Sequence, residues 1–181
     1  MNNEQNVHDV RNQPFFIAQQ KQDNACSMQE CHYHDVYEIY YLLECRRNYF
    51  IHNRTYPVVK GDIVLINVHD IHKTMNSHHA SYERILICFQ KDFLSCMAQQ
   101  EENINLLECF SGDRKVIRLK LTEQAFVQSI LLKMVDEDKM KPHGYLTCQK
   151  ILLAELLLFI NRNMEQFRQD ERHADFRADR V

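Results

Sequence analysis

His32-Tyr33-His34-Asp35-Val36-Tyr37-Glu38 runs directly into Ile39-Tyr40-Tyr41-Leu42-Leu43, and further along the chain comes Gly61-Asp62-Ile63-Val64-Leu65-Ile66-Asn67-Val68-His69-Asp70-Ile71-His72. Side chains alternate faces along a strand, so residues of one parity share a face. His32, His34 and Glu38 are all even-numbered, and a continuous strand would aim all three the same way. Imidazoles and a carboxylate converging on one face make either a divalent-metal site or a polar ligand pocket. His72, at the end of the second stretch, is the fourth member. The candidate ligand pocket is His32, His34, Glu38, Tyr40 and His72, and the candidate metal ligands are His32, His34, Glu38 and His72.

Around these stretches the pattern is strand, short turn, strand. Tyr37–Leu43, Tyr49–Ile51, Thr55–Val59, Asp62–Ile66 and Tyr82–Phe89 are rich in β-branched and aromatic residues with polar turns between them. His52-Asn53-Arg54 is expected to be a hairpin turn with Asn53 at positive φ, and Lys60-Gly61-Asp62 another tight corner. Short strands at close spacing predict a sandwich or small barrel. Pro14–Ala18 is a further short strand or arm, and Lys115–Leu119 one more strand. His52, His69, His78 and His79 fall in turns and are expected to face solvent. The same imidazole and carboxylate groups could hydrogen-bond a small polar molecule without any metal, so both readings stay open.

After Phe89 the period changes. Lys91–Gln100 reads as helical, and Thr122–Glu137 as a helix opened by Thr122 as N-cap, with Phe126, Ile130 and Met134 four apart. Leu146–Phe167 reads as one long helix, apolar on nearly every side between Ile151 and Ile160. Such a helix must be covered twice, by the sheet and by a second helix of this chain or of another copy. Ile151, Leu152, Leu156, Phe159 and Ile160 are the expected homodimer contact. The domain division that follows is 1–119 for the barrel and its N-terminal arm, 120–167 for the helices and 168–181 for a charged linker.

Net charge is −3 with pI near 6.4, and no basic stripe is present, which argues against phosphate-backbone binding by this chain. Seven cysteines make an odd count without a C-x-x-C pair, which points to reduced thiols, core packing and a cytoplasmic setting. Met1–Gln13 lacks the apolar core of a signal peptide. Ile151–Ile160, interrupted by Glu155, falls well short of the roughly 20 residues of a membrane span, so no membrane partner is expected.

The spacing His32-x-His34-x3-Glu38, then Gly61-x5-Asn67-x-His69-x2-His72-x3-Asn76, resembles the two cupin motifs. It departs from them where the family has turn glycines at the positions of Cys26, Cys45 and His69, and proline at that of Asn67. The wording of His34–Glu44, Gly61–Ile66, Ile71-His72-Lys73 and Tyr82–Phe89 is similar to the N-terminal sensing domain of AraC-type transcriptional regulators. The resemblance implies a mainly β cupin barrel followed by dimerisation helices. It also implies a small-molecule effector, expected to be polar and carbohydrate-like, and a homodimer. DNA would be read only by a C-terminal helix-turn-helix region outside this chain. It implies a sensor and not an enzyme. The alternative is a metal-dependent cupin enzyme of isomerase or dioxygenase type. No cofactor is certain from the residues; a divalent ion (Zn, Fe, Mn or Ni) is the candidate.

Overall fold

The five-stranded sheet carries buried apolar residues on both faces, and the rest of the described structure packs around them. The computed structural model describes residues 13–22, 28, 30–76, 81–97 and 105–178, so the expectations for Cys26, His78, His79, the first twelve residues and 98–100 lie outside the described residues. Eight strands occur in the order β1 (Phe15–Gln22), β2 (Tyr37–Glu44), β3 (Arg46–Ile51), β4 (Arg54–Val59), β5 (Asp62–Ile66), β6 (His72–Asn76), β7 (Tyr82–Phe89) and β8 (Val116–Arg118). One sheet has the order β1-β7-β2-β5-β8 and the other β4-β3-β6, with antiparallel pairing throughout. Two helices follow, α1 (Leu121–Met140) and α2 (Tyr145–Ala178).

Residue parity divides the large sheet into two cores. Ile39, Tyr41, Ile63, Leu65, Ile85, Ile87 and Phe89 pack outward against Val127, Leu131 and Met134 of α1 and Leu153, Leu156, Leu157 and Ile160 of α2. Tyr40, Leu42, Val64, Ile66, Leu86 and Cys88 pack inward against Tyr49, Ile51 and Val58 of the small sheet, so the two sheets form the walls of a barrel. Double burial explains why Ile63-Val64-Leu65-Ile66 carries no polar alternation, whereas β3 alternates between buried and less buried residues. Pro57 sits on β4, an edge strand, where its missing N–H interrupts no ladder.

The turns depart from the expected chemistry. In the hairpin between β3 and β4 the left-handed residue is His52 (φ 53°), not Asn53. Cys45 (φ 73°) turns the chain from the large sheet into the small one just after a register shift in β2, and His69 (φ 64°) turns it between β5 and β6. Both are places where the cupin motifs carry glycine, so the backbone shape is kept although the residue has changed. Gly61 (φ 85°) keeps glycine at a left-handed corner that strains any L side chain, and the Gln124 side chain of α1 lies over it.

α1 starts earlier than expected. Its cap is Lys120, whose N–H donates to the Glu123 carboxylate at 2.7 Å, and Thr122 lies in the first turn. Lys141 (φ 44°) ends the helix in the left-handed conformation just before Pro142. Lys91–Met97 is a 3-10 helix, and a second short one spans Glu108–Phe110. The backbone of α2 stays helical through Ala178, so most of the stretch read as a linker continues this helix.

The expected dimer contact requires correction. Leu152 (5% exposed), Leu156 (0%) and Ile160 (1%) are spent on this chain's own core, and Phe159 packs on Phe126 with ring centroids 5.0 Å apart. Of the five residues only Ile151, at 53%, is open. The cover that the apolar helix needs comes from the sheet and α1 within one chain. The cysteine reading is also too broad. Cys88 and Cys109 are core residues, but Cys31 is exposed and Cys45 and Cys148 are half-buried, all five being free thiols.

Candidate functional site

The imidazoles and the carboxylate do meet, but not because they share one strand. β2 begins only at Tyr37, so the continuous strand that would carry His32 and His34 does not exist. His32 is instead held against β6 by an isolated antiparallel bridge, its N–H and C=O each bonded to His72 at 3.0 Å. His34 lies in the irregular stretch before β2, where its backbone carbonyl accepts the His69 N–H at 2.8 Å. Glu38 alone comes from β2, and it faces inward opposite Cys88. One ligand-capable atom from each of His32, His34 and His72 lies within 4.8 Å of the others. Glu38 Oε2 is 3.1 Å from His34 Nε2 and 3.7 Å from His72 Nε2.

The protons of this cluster can be assigned from geometry. His34 Nδ1 lies 2.9 Å from the Val36 carbonyl and His72 Nδ1 2.8 Å from the Asp70 carbonyl. A carbonyl oxygen only accepts, so both Nδ1 atoms carry hydrogen, and each neutral ring turns an Nε2 lone pair into the site. His34 Nε2 then faces Glu38 Oε2 as acceptor against acceptor, which is favourable only if a proton or another cation lies between them. His72 Nε2 and His32 Nδ1 are buried without a hydrogen-bond partner. A donor set of three imidazoles and a carboxylate, with fixed tautomers and unpartnered ring nitrogens, fits a borderline divalent ion.

The electrostatics agree in direction. Burial depresses His34, but the hydrogen bond and charge of Glu38, with help from the Val36 carbonyl, outweigh it and raise its pKa. Burial would raise Glu38, yet the hydrogen bond from His34 and the nearby His72 hold its carboxyl well below the usual range. His32 is pushed down to about 4, first by burial and then by the neighbouring His72, against the pull of Glu38. At neutral pH Glu38 is therefore anionic and His32 is neutral.

Tyr40, the remaining candidate, is completely buried behind the cluster, edge-on to Tyr49 at 5.0 Å, and its hydroxyl has no hydrogen-bond partner. Burial drives its pKa up, so it stays an O–H donor. Two groups were missed. Tyr49 donates its hydroxyl to Glu38 Oε1 at 2.9 Å and fixes the carboxylate from behind; its inward parity with Ile51 was the available signal. Asp70 orients His72 through its carbonyl, while its carboxylate accepts the Asn67 N–H (2.9 Å), His52 Nε2 (2.8 Å) and Lys115 Nζ (2.8 Å). Nothing local in the sequence announces Lys115. His52 and His69 are both exposed as expected, and His52 is in addition tied to Asp70 through Nε2.

With this geometry in place, comparison with known proteins identifies the class. No curated protein gave a significant sequence match. Among solved structures, the unsaturated-fatty-acid-bound wild-type ToxT of Vibrio cholerae strain SCE256 superposes with TM-score 0.57 at 10% identity, covering 84% of this chain and 55% of that one. Apo ToxT K231A from the same strain gives TM-score 0.53 at 12% identity, covering 79% and 54%. A cupin 2 conserved barrel protein from Salinispora arenicola CNS-205 aligns at 20% identity over 50% of this chain and 75% of its own, with TM-score 0.40. This chain thus spans about half the length of the ToxT chains it resembles. Among the described residues, no helix is long and apolar enough to cross a membrane. The family profile described as AraC-like ligand binding domain matches residues 16–132, and the chain, a mainly β cupin barrel with C-terminal helices, belongs to that family.

Proposed function

We propose that this chain is the ligand-sensing module of an AraC-type transcriptional regulator, that its response is set at His32, His34, Glu38 and His72, and that these four residues hold a divalent cation. The observation that carries this reading is the 3.1 Å approach of His34 Nε2 to Glu38 Oε2 while His34 Nδ1 is already committed to the Val36 carbonyl. When bound, the ion supplies the positive charge that these facing acceptors otherwise take from a proton. The protein's own part is preorganisation. The Val36 and Asp70 carbonyls fix the imidazole tautomers, Tyr49 fixes the carboxylate, and the isolated bridge keeps His32 beside His72.

The carbohydrate-like effector expected from the sequence would use the same groups, with the unpartnered Tyr40 hydroxyl and Thr74 Oγ1 as further polar contacts. The facing acceptors favour the cation. Sensing then follows from linkage: a ligand that binds one conformation more tightly shifts the population towards it. DNA reading belongs to a helix-turn-helix region outside these residues, because this chain's net charge of −3 gives it no electrostatic hold on a duplex. If the module pairs with a second copy, the exposed apolar helix residues among those described, Leu121, Phe126, Leu132, Met140, Leu146 and Ile151, are available for the contact.

The test is isothermal titration and thermal unfolding of the metal-stripped chain with Zn, Ni, Mn and Fe(II), alongside a panel of sugars. The expected result is stoichiometric binding of a metal with a rise in Tm, lost in Glu38→Gln and His72→Ala. Stabilisation by a sugar and by none of the metals would overturn the cation and leave the polar effector.

A further inference from the structure

The histidine site lies inside the barrel, whereas α2 packs on the outer face of the large sheet, yet one run of polar contacts joins them. His72 donates from Nδ1 to the Asp70 carbonyl at 2.8 Å, and the Asp70 carboxylate holds Lys115 Nζ at 2.8 Å. Lys115 Nζ also donates to the Phe110 carbonyl at 3.4 Å, and the Lys115 carbonyl accepts the Leu65 N–H at 2.9 Å. Phe110 closes the short 3-10 helix and packs in the outer core with Leu156, Leu157 and Ile160 of α2. On the other side of that 3-10 helix, the Leu106 carbonyl accepts Asn161 Nδ2 of α2 at 3.0 Å.

The ionic link in this run calls for an explanation. Asp70 (8% exposed) and Lys115 (9%) are both buried, and a buried ion pair adds little to stability compared with a hydrophobic replacement. What it does supply is direction. Neither charge can be left behind in the interior, so a displacement of Asp70 has to carry Lys115 with it. The Asp70 carboxylate also accepts from His52 and from the Asn67 N–H, so it gathers the β3–β4 turn and the β5–β6 turn at the same point.

We propose that the Asp70–Lys115 pair is the strut through which occupancy at His72 is felt by helix α2, with Phe110 and Asn161 as its distal contacts. This rests on the reading of the histidine cluster as the sensing site. Asp70 and Lys115 are positioning residues: they touch no ligand and act through His72 at one end and through the Glu108–Phe110 turn at the other. A site that shares no strand with α2 thereby gains a mechanical connection to it, made of groups with fixed hydrogen-bond directions.

The experiment is hydrogen exchange of the α2 amides in the full 181-residue chain, with and without saturating zinc. In the wild type, zinc should slow exchange around 156–164 by threefold or more. Lys115→Met should lose that response, and Lys115→Arg should keep it. Asn161→Leu cuts the distal end without touching the ion pair. It should also lose the response while binding zinc as the wild type does, which keeps the test open should Lys115→Met fail to fold. A zinc-free arm compares His72→Ala alone with His72→Ala in the Asn161→Leu background; the first should alter α2 exchange and the second should not. If zinc does not bind but His72→Ala still alters α2, the strut stands and the metal reading falls. If zinc binds and α2 is unmoved, or if Asn161→Leu responds like the wild type, the strut is wrong. If His72→Ala leaves α2 exchange unchanged, the strut is likewise wrong.

Discussion

The two faces of the five-stranded sheet are built from the same strands and differ in parity alone, but they do different work. The outward residues Ile39, Tyr41, Ile63, Leu65, Ile85 and Ile87 pack in one apolar cluster with residues of the helices. The inward residues pass from Glu38 beside the imidazoles to Tyr40 and Leu42, facing Tyr49 and Ile51 of the small sheet. The outward core can be judged by area and volume, since hydrophobic burial is non-directional. The inward core has to be judged bond by bond, because each buried polar atom needs a partner. Under the proposed function both faces contribute apolar burial, and the inward face adds binding to it.

The sharpest way to break this division is to hollow out the outer core. Leu156→Ala should cost about 2–5 kcal/mol in urea unfolding, the range for a fully buried leucine, while the folded protein binds zinc with unchanged affinity. A fall in zinc affinity equal to the loss of stability would show that the two faces are not separable.

The inner face should respond in the opposite way. Tyr49→Phe removes one donor to a buried carboxylate, with an expected cost of about 1.5–3 kcal/mol. It should also weaken metal binding roughly ten- to a hundredfold, as read by competition with a chelating dye. Intact affinity would mean that Glu38 is fixed without Tyr49.

A pH series sharpens the comparison further, since only the inner face titrates in the accessible range. His32 has a pKa near 6.5 when unfolded and about 4 when folded. Between these values the unfolded chain binds the proton and the folded chain does not, so stability rises with pH across that window and is lost on acidification. The urea midpoint of the metal-free protein should fall as pH drops from 6.5 towards 4, and His32→Gln should flatten that slope. An unchanged slope would place the titration on another group.

The smallest effect belongs to a surface residue. Ile151→Ser, on the exposed side of α2, should change stability by no more than about 0.5 kcal/mol. Sedimentation of the same variant gives the assembly readout: a lower mass than the wild type would place Ile151 in a contact between copies.

Several strands were legible residue by residue. Asp62–Ile66 and Tyr82–Phe89 fall where the apolar runs begin and end. β6 was not, because His72-Lys73-Thr74-Met75-Asn76 is too polar to announce a strand; it is one because β3 pairs with it from Arg47–Asn76 to Ile51–His72. The convergence of His32, His34, Glu38 and His72 was legible too, although the parity argument gave the wrong cause. His32 reaches the site by its bridge to His72, a pairing that is long-range and leaves no periodic mark. The helix contact misled for a similar reason. Apolarity on Leu152, Leu156 and Ile160 says that they need cover, and the cover lies in the large sheet and α1, far off in sequence.

The chain by itself determined the quantities that local chemistry controls: which segments extend, where the period changes to helical, and which ionisable side chains stand at ligand spacing. It determined the family as well, through the wording of His34–Glu44 and Tyr82–Phe89. Only the tertiary structure decided which face of each apolar element is met by what, that Cys45 and His69 keep left-handed corners without glycine, and that Lys115 reaches Asp70. The physical reason is range. Parity, propensity and turn chemistry act over a few residues, whereas a hydrogen bond between Asp70 and Lys115 or an imidazole set beside a distant carboxylate exists only once the sheets have closed.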